Sequence, residues 1–331
     1  MKSLSVKEFF QPRRLGHVNL WVSDLQKSER FYNEVCGLTV EFTEPGLVAT
    51  FLGTGHTPHD LGMIEKTDGK PRYGRDGLLQ LPPGIGFAAG LNHLAWELEN
   101  EAALVRAFKA LKSNSIEVDM TVDHQVAHSV YMTDPDKNVV EFYCDTVRDW
   151  RKVLKGSMDL ITSEWDPLSA EGFTDGRYDT SPEIRIVSEA PIHPQRITHA
   201  VLETLNVSKL VKFYTSVGGL NVVDELLDGD IVLLGASHNA YQYSLAICKG
   251  SSAGYHHASF ELNGESALDA AENSINAMGI KIEARINAPW KRSFFLKDPD
   301  GMLSEYYVSR PNLRLFEEIK KISSLPHPYL I

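Results

Sequence analysis

One short pattern is written twice along this chain, and it points to a duplicated architecture. The first half carries Gly16-His17-Val18, Asn92-His93-Leu94-Ala95-Trp96-Glu97-Leu98 and Val140-Glu141-Phe142-Tyr143. The second half carries Thr198-His199-Ala200, His256-His257-Ala258-Ser259-Phe260-Glu261-Leu262 and Ser304-Glu305-Tyr306-Tyr307. Each set presents His, His and Glu on strand-like runs. The second His precedes its Glu by 48 residues in both copies, 93 to 141 and 257 to 305. Self-similarity of this kind means that one supersecondary unit is used repeatedly.

The repeat recurs at the quarter, where a strand-like run is followed by an amphipathic helical stretch and further strands. Quarter one opens with Leu15-Gly16-His17-Val18-Asn19-Leu20-Trp21-Val22. Ser23-Asp24 then supplies a helix N-cap, the helix runs Leu25 to Val35, and Gly37 ends it. Quarter three copies this from Ile197, through Phe213-Tyr214 to Gly218-Gly219. Quarter two starts near Leu91 with a helix near Ala102 to Lys112, and quarter four near Tyr255 with a helix near Ala267 to Met278. Both close on a hairpin, Asp134-Pro135-Asp136 or Asp298-Pro299-Asp300, whose residue types suit a turn between strands. These Asp-Pro-Asp repeats read as turn chemistry, and the Phe31-Tyr32 and Phe213-Tyr214 pairs read as core. The expected organisation is a first domain over 10–150, a linker over 151–194, a second domain over 195–312 and a tail over 313–331. A Gly- and Pro-rich stretch, Lys66 to Gly90, occurs only in the first half and is placed to cover a cavity there.

Composition excludes several classes. With 331 residues the chain is long enough for two cores. Its net charge of -11 and lack of a basic tract argue against nucleic acid or an anionic membrane as partner. Three scattered cysteines, Cys36, Cys144 and Cys248, make neither a disulfide framework nor a CxxC metal site and fit a reducing cytoplasm. Residues 1–7 lack an apolar signal-like run, and no apolar run reaches membrane-spanning length. What remains is a metal-site reading. Two His and one carboxylate take one face of an octahedral ion and leave three positions free, which suits non-haem Fe(II) enzymes that bind substrate and O2 together.

These residues resemble the vicinal oxygen chelate (glyoxalase/bleomycin resistance/dioxygenase) superfamily, and within it the two-domain type I extradiol ring-cleavage dioxygenases. The resemblance spans nearly the whole chain apart from the linker and the Lys66–Gly90 loop. It implies an α+β fold of four βαβββ modules paired into two domains, each an open barrel-like sheet around a metal cavity. It also implies two candidate ligand sets, His17, His93 and Glu141, and His199, His257 and Glu305. In such enzymes a His on the strand before the second ligand acts as acid/base. The first half has His59 there, in His59-Asp60-Leu61, with His56 as a rival in the same loop, while the second half has Gln242-Tyr243-Ser244-Leu245. A Gln exchanges no proton at neutral pH. The family Tyr, ten residues before the Glu, is Tyr131 in the first half and Phe295 in the second. The His expected shortly before it is His124 or His128, against Ala288 and Arg292.

The resemblance therefore implies a catalytic N-terminal domain, although the C-terminal domain is the active one in the commoner family pattern. The implied function is an Fe(II)-dependent extradiol dioxygenase of aromatic compound catabolism, cleaving a substituted catechol with O2. Mn(II) is an alternative ion. Trp96, Phe87 and Phe142 are the expected apolar lining, and a homo-oligomer is the expected assembly. Alternatives are catalysis at the C-terminal triad, a metal-dependent lyase or isomerase, a hydroquinone dioxygenase, and a non-catalytic aromatic-binding protein.

Overall fold

The structure, a computed structural model, describes residues 9–310 and 326–331. Residues 1–8 and 311–325, the latter including most of the expected tail, lie outside the described residues. Each half contributes eight principal strands. In the first half these are β1 (Pro12–Val22), β2 (Thr39–Glu44), β3 (Ala49–Gly53), β4 (Leu61–Glu65), β5 (Gly90–Leu98), β6 (Met120–Asp123), β7 (Ala127–Thr133) and β8 (Val139–Asp145). In the second they are β9 (Pro194–Thr204), β10 (Asn221–Leu226), β11 (Ile231–Gly235), β12 (Leu245–Lys249), β13 (Gly254–Leu262), β14 (Ala284–Asn287), β15 (Lys291–Lys297) and β16 (Leu303–Ser309).

The principal strands run in space β2-β3-β4-β1-β5-β8-β7-β6 in one sheet and β10-β11-β12-β9-β13-β16-β15-β14 in the other. The two orders are identical once the second is counted from its own first strand. Within each quarter the first strand pairs in parallel with the last, β1 with β4 and β5 with β8. Such a pairing needs a crossover connection, and helices α1 (Leu25–Arg30) and α2 (Glu101–Ser113) lie within those crossovers. The second half repeats this with α3 (Val207–Ser216) and α4 (Glu265–Ala277). The fold is thus α+β, four βαβββ modules in two sheets. No helix among the described residues is long and apolar enough to cross a membrane.

The helix signals in the sequence are real. Asp24, Asn100 and Asn206 each cap a helix by accepting from the backbone N–H three residues on. The first helix continues from Arg30 as a wider turn over Phe31–Val35 before Gly37 ends it. Gly37 has φ +74, and a Cβ there would stand 1.8 Å from the Ile192 carbonyl oxygen. Gly219 has φ +72, and its Cβ would stand 1.7 Å from that of Phe10. Each glycine therefore lets the strand leading into the other half pass against its own helix end.

The repeated Phe-Tyr and Asp-Pro-Asp phrases do more than fill core and turn. Tyr32 Oη donates to Asp298 Oδ2 and Tyr214 Oη donates to Asp134 Oδ2, both at 3.2 Å. The two bonds tie each half's helix to the other half's hairpin. Outward-facing residues of both sheets, including Val18, Leu94, Trp96, Phe142, Ala200, Phe260 and Tyr306, form one core shared by the halves. The opposite face of the first sheet lines a cavity, and that of the second carries a separate buried cluster.

The stretch expected as a linker closes the first of these. Gly156–Ser157 pairs with β2 at one edge of the first sheet, and Ser163–Glu164 pairs with β6 at the other. The segment crosses the mouth of the curled sheet, pinned by Arg75 Nε donating to the Ile161 carbonyl at 3.0 Å.

Candidate metal centre

Strand register assembles the site before any side chain is considered. His17 on β1 pairs with Ala95 on β5, which pairs with Glu141 on β8, which pairs with Tyr131 on β7. Residues directly opposite one another point to the same face of a sheet, and so does a residue two along. His17, Glu141 and Tyr131 therefore form one row, and His93, two before Ala95, joins it from the same side.

The donor atoms converge. Glu141 Oε2 lies 3.0 Å from His17 Nε2 and 3.0 Å from His93 Nε2, and the two imidazole nitrogens are 3.4 Å apart. Three donors that meet one ion at about 2.1 Å along octahedral edges lie about 3 Å apart, so this triad fits one face of such an ion. The neighbours orient the donors. Asn92 Oδ1 sits 2.6 Å from His93 Nδ1, which leaves Nε2 free to face the site. Ser129 Oγ donates to Glu141 Oε1 at 2.5 Å and leaves Oε2 to the imidazoles. Burial alone would raise the Glu141 carboxyl, but His17 and His93 outweigh it and hold it well below the usual range. Removing this outer support is expected to weaken the site without unfolding it. For Ser129→Ala, metal affinity measured by chelator competition should fall about 10- to 100-fold, and unchanged affinity would show that Glu141 needs no such partner.

Around the triad lies a cavity of about 690 Å³, lined among others by Asn19, Trp21, Phe51, His59, Leu81, His124, Tyr131, Tyr143 and Ile161. His59 is half-buried, both its ring nitrogens are buried without a hydrogen-bond partner, and its ring lies 3.9 Å from that of His17. Burial, then the nearby His17, lowers the His59 pKa well below the ordinary histidine value. His124 Nε2 lies 3.0 Å from Tyr131 Oη and 3.9 Å from Glu141 Oε1. Burial pushes His124 down to about 4, against the pull of Glu141. Burial and the adjacent carboxylate push the Tyr131 phenol up.

Some expected residues lie elsewhere. His128 is on β7 but one residue out of step with Ser129 and Tyr131. Its ring stacks on Trp165 and its Nδ1 lies 2.6 Å from Glu101 Oε1 of α2, on the face away from the triad. Of the open pair His124 and His128, only His124 reaches the cavity. The expected apolar lining is also corrected. Trp96 packs edge-on to Tyr214, Phe142 stacks on Phe10 at 3.8 Å, and Phe87 is 63% exposed. Trp96 and Phe142 are out of step with His93 and Glu141, so the alternation sends them into the shared core. The residues overlooked, Trp21 and Tyr143, are those in step with His17 and Glu141. The Lys66–Gly90 loop does reach the cavity, through Leu79, Gln80, Leu81, Pro82 and Ile85.

The second triad repeats the row with different neighbours. His199, Ser259, Glu305 and Phe295 pair across β9, β13, β16 and β15. Glu305 Oε2 is 3.7 Å from both His199 Nε2 and His257 Nε2. Phe295 stands where Tyr131 does, as the spacing predicts. Register corrects the other comparison. Val18 pairs with Leu61 and Ala200 with Leu245, so the counterpart of His59 is Tyr243 and not Gln242. Neither residue is a proton exchanger at neutral pH, and Tyr243 packs on His199 with ring centroids 4.8 Å apart.

The model of the Glyoxalase/Bleomycin resistance protein/Dioxygenase superfamily matches residues 14–142 and 196–306. The chain belongs to that superfamily. Among its relatives, the catechol-2,3-dioxygenase of Bacillus subtilis (strain 168) is 24% identical over 305 residues, covering 86% of this chain and 93% of that protein. A biphenyl-2,3-diol 1,2-dioxygenase of Rhodococcus globerulus (number 3) is 28% identical over 170 residues, covering 49% of this chain and 83% of its own. Among solved structures, the 2,3-dioxygenase LapB from Pseudomonas sp. KL28 superposes with a TM-score of 0.64 at 16% identity, over 92% of this chain and 94% of that one. At that identity the superposition speaks for the superfamily fold alone.

Proposed function

We infer that this superfamily member is an extradiol dioxygenase that opens the ring of a substituted catechol with O2 at a site in its N-terminal half. The observation that carries this is the joint placement of His17, His93 and Glu141 with His59, His124 and Tyr131 around one cavity. The relatives named for catechol and biphenyl-diol cleavage support the same reading. Fe(II) is the ion of this reading, since a facial set of two His and one carboxylate suits it; Mn(II) fits the same donors. Held by His17, His93 and Glu141, the ion would supply Lewis-acid stabilisation of an ionised diol and a centre for O2 chemistry.

The chain's own residues divide the remaining work. His59, neutral and unpaired, accepts the proton of a substrate hydroxyl and returns a proton later in the reaction. Tyr131 offers its hydroxyl to an oxygen on the ring, and His124 holds that hydroxyl in place. Trp21, Leu47, Phe51, Ile64, Leu81 and Ile161 give the cavity an apolar wall. A volume of about 690 Å³ lies well within the range for drug-sized ligands and leaves room beyond a single ring for an apolar substituent.

The test is oxygen uptake by anaerobically iron-loaded protein offered a panel of simple, alkyl- and aryl-substituted catechols. Equimolar consumption of O2 and catechol, with a ring-opened product carrying both oxygen atoms, is expected, with substituted catechols preferred. No uptake with any catechol or hydroquinone would sink the dioxygenase reading, and turnover under argon would point to a lyase or isomerase.

A further inference from the structure

The second triad contains a cation of its own. Lys291 is fully buried, and its Nζ lies 2.5 Å from Glu305 Oε1 and 2.5 Å from the main-chain oxygen of Ile331. In the first half the matching position, fourteen residues before the Glu, is Ala127, too short to reach Glu141. The other oxygen of Glu305, Oε2, accepts from Ser259 Oγ at 2.7 Å. Both carboxylate oxygens are thus engaged, and the two imidazoles stand back at 3.7 Å with unpaired Nε2 atoms.

The space above this triad is filled by the chain. Residues 326–331 turn inward, with Ile331 buried, the Leu330 carbonyl accepting from Trp290 Nε1 at 2.9 Å, and the Tyr329 ring 4.9 Å from that of Phe295. Tyr241 and Tyr243 pack on His199 from another side. His199, His257 and Glu305 are all 0% exposed, whereas His17 and His93 keep 5% and 6%. One carboxylate beside a divalent ion leaves a single positive charge. In the second half the Lys291 ammonium already stands against Glu305 at 2.5 Å, and a divalent ion among the same buried donors would set two more positive charges beside it, which repulsion in a buried space disfavours.

We propose that the second triad is permanently metal-free, with Lys291 as its built-in cation and residues 326–331 seated where the first half keeps open cavity, so that each chain carries one metal ion. This inference is independent of the reaction at the first site. It is read by metal stoichiometry on the full chain, with Co(II) as a spectroscopic probe. Wild type is expected to bind one ion per chain, His93→Ala none, and His257→Gln one. Lys291→Ala, which restores the side chain found at Ala127, is expected to take up a second ion, to show a second Co(II) absorption, and to melt higher when metal is added. Two ions in wild type, or one retained in His93→Ala, would overturn the proposal even where Lys291→Ala fails to fold. A folded Lys291→Ala that still binds one ion would overturn the role given to Lys291.

Discussion

His93→Ala is expected to lose bound metal and oxygen uptake together, with turnover below wild type by more than the about 10²- to 10⁴-fold that loss of a single acid–base group costs. The reason is geometric. His93 Nε2 is one of three donors about one ion's octahedral edge apart, and its Nδ1 is already committed to Asn92. Alanine leaves His17 and Glu141 as a pair without the third donor of the set. The substitution removes buried atoms at the cavity wall, not in the shared core, so the thermal transition of the metal-free protein should move little. Metal analysis and oxygen-electrode assays on the same sample check this. Retained metal with lost activity would place the remaining ion at the second triad, and its loss on adding His257→Gln would confirm that. Retained activity, with His257→Gln inactive, would move the chemistry to the second half.

How far the sequence speaks follows from how the site is built. The triads were legible because each ligand holds the same register position on its strand in both halves, and a repeat preserves that register as spacing. Tyr131 was legible for the same reason, as it pairs directly with Glu141. The readings of Trp96, Phe142 and His128 ignored the two-residue period of a strand, whereas Phe87 lies in the Lys66–Gly90 loop and is exposed. Counting in steps of two from His93 and Glu141 excludes Trp96 and Phe142 from the cavity and selects Tyr143. From Tyr131 it excludes His128 and selects Ser129. The one-residue offset between Gln242 and Tyr243 has another origin: nothing local in the sequence fixes how β12 aligns with β9, and only the pairing of Ala200 with Leu245 does so. Three features were invisible because they depend on long-range closure. The segment around Ile161 joins both edges of its sheet, Lys291 reaches Glu305, and residues 326–331 fold back on Trp290. None of these carries a periodic signal. Lys291 in particular reads in the sequence as an ordinary charged strand residue, and only its burial beside a carboxylate marks it.

His59→Gln is expected to lower kcat by about 10²- to 10⁴-fold while leaving metal content unchanged. Glutamine keeps much of the volume and can hydrogen-bond, but it cannot exchange a proton near neutral pH. The claim rests first on position. His59 faces the cavity against the ring of His17, has no hydrogen-bond partner for either nitrogen, and is not a member of the donor triad. An imidazole with both nitrogens buried and unpaired is costly unless a ligand completes it, and a catechol hydroxyl held at the triad is such a ligand. Its ionisation gives a second readout. Burial and its imidazole neighbours lower the His59 pKa well below 6.5, and a divalent ion at the triad pushes the same way. The base form therefore persists through neutral pH, so kcat should stay flat from pH 8 down to about 6.5, the unperturbed histidine value, and fall only as the pH drops further toward the lowered pKa. A wild-type profile that falls with a midpoint above that value would remove His59 as the base. So would a His59→Gln variant with wild-type kcat, whereas a variant that raises KM and leaves kcat intact would reduce His59 to a substrate contact. His124 offers the control. It supports Tyr131 and is not free to accept from substrate, so His124→Gln should reduce kcat less than His59→Gln.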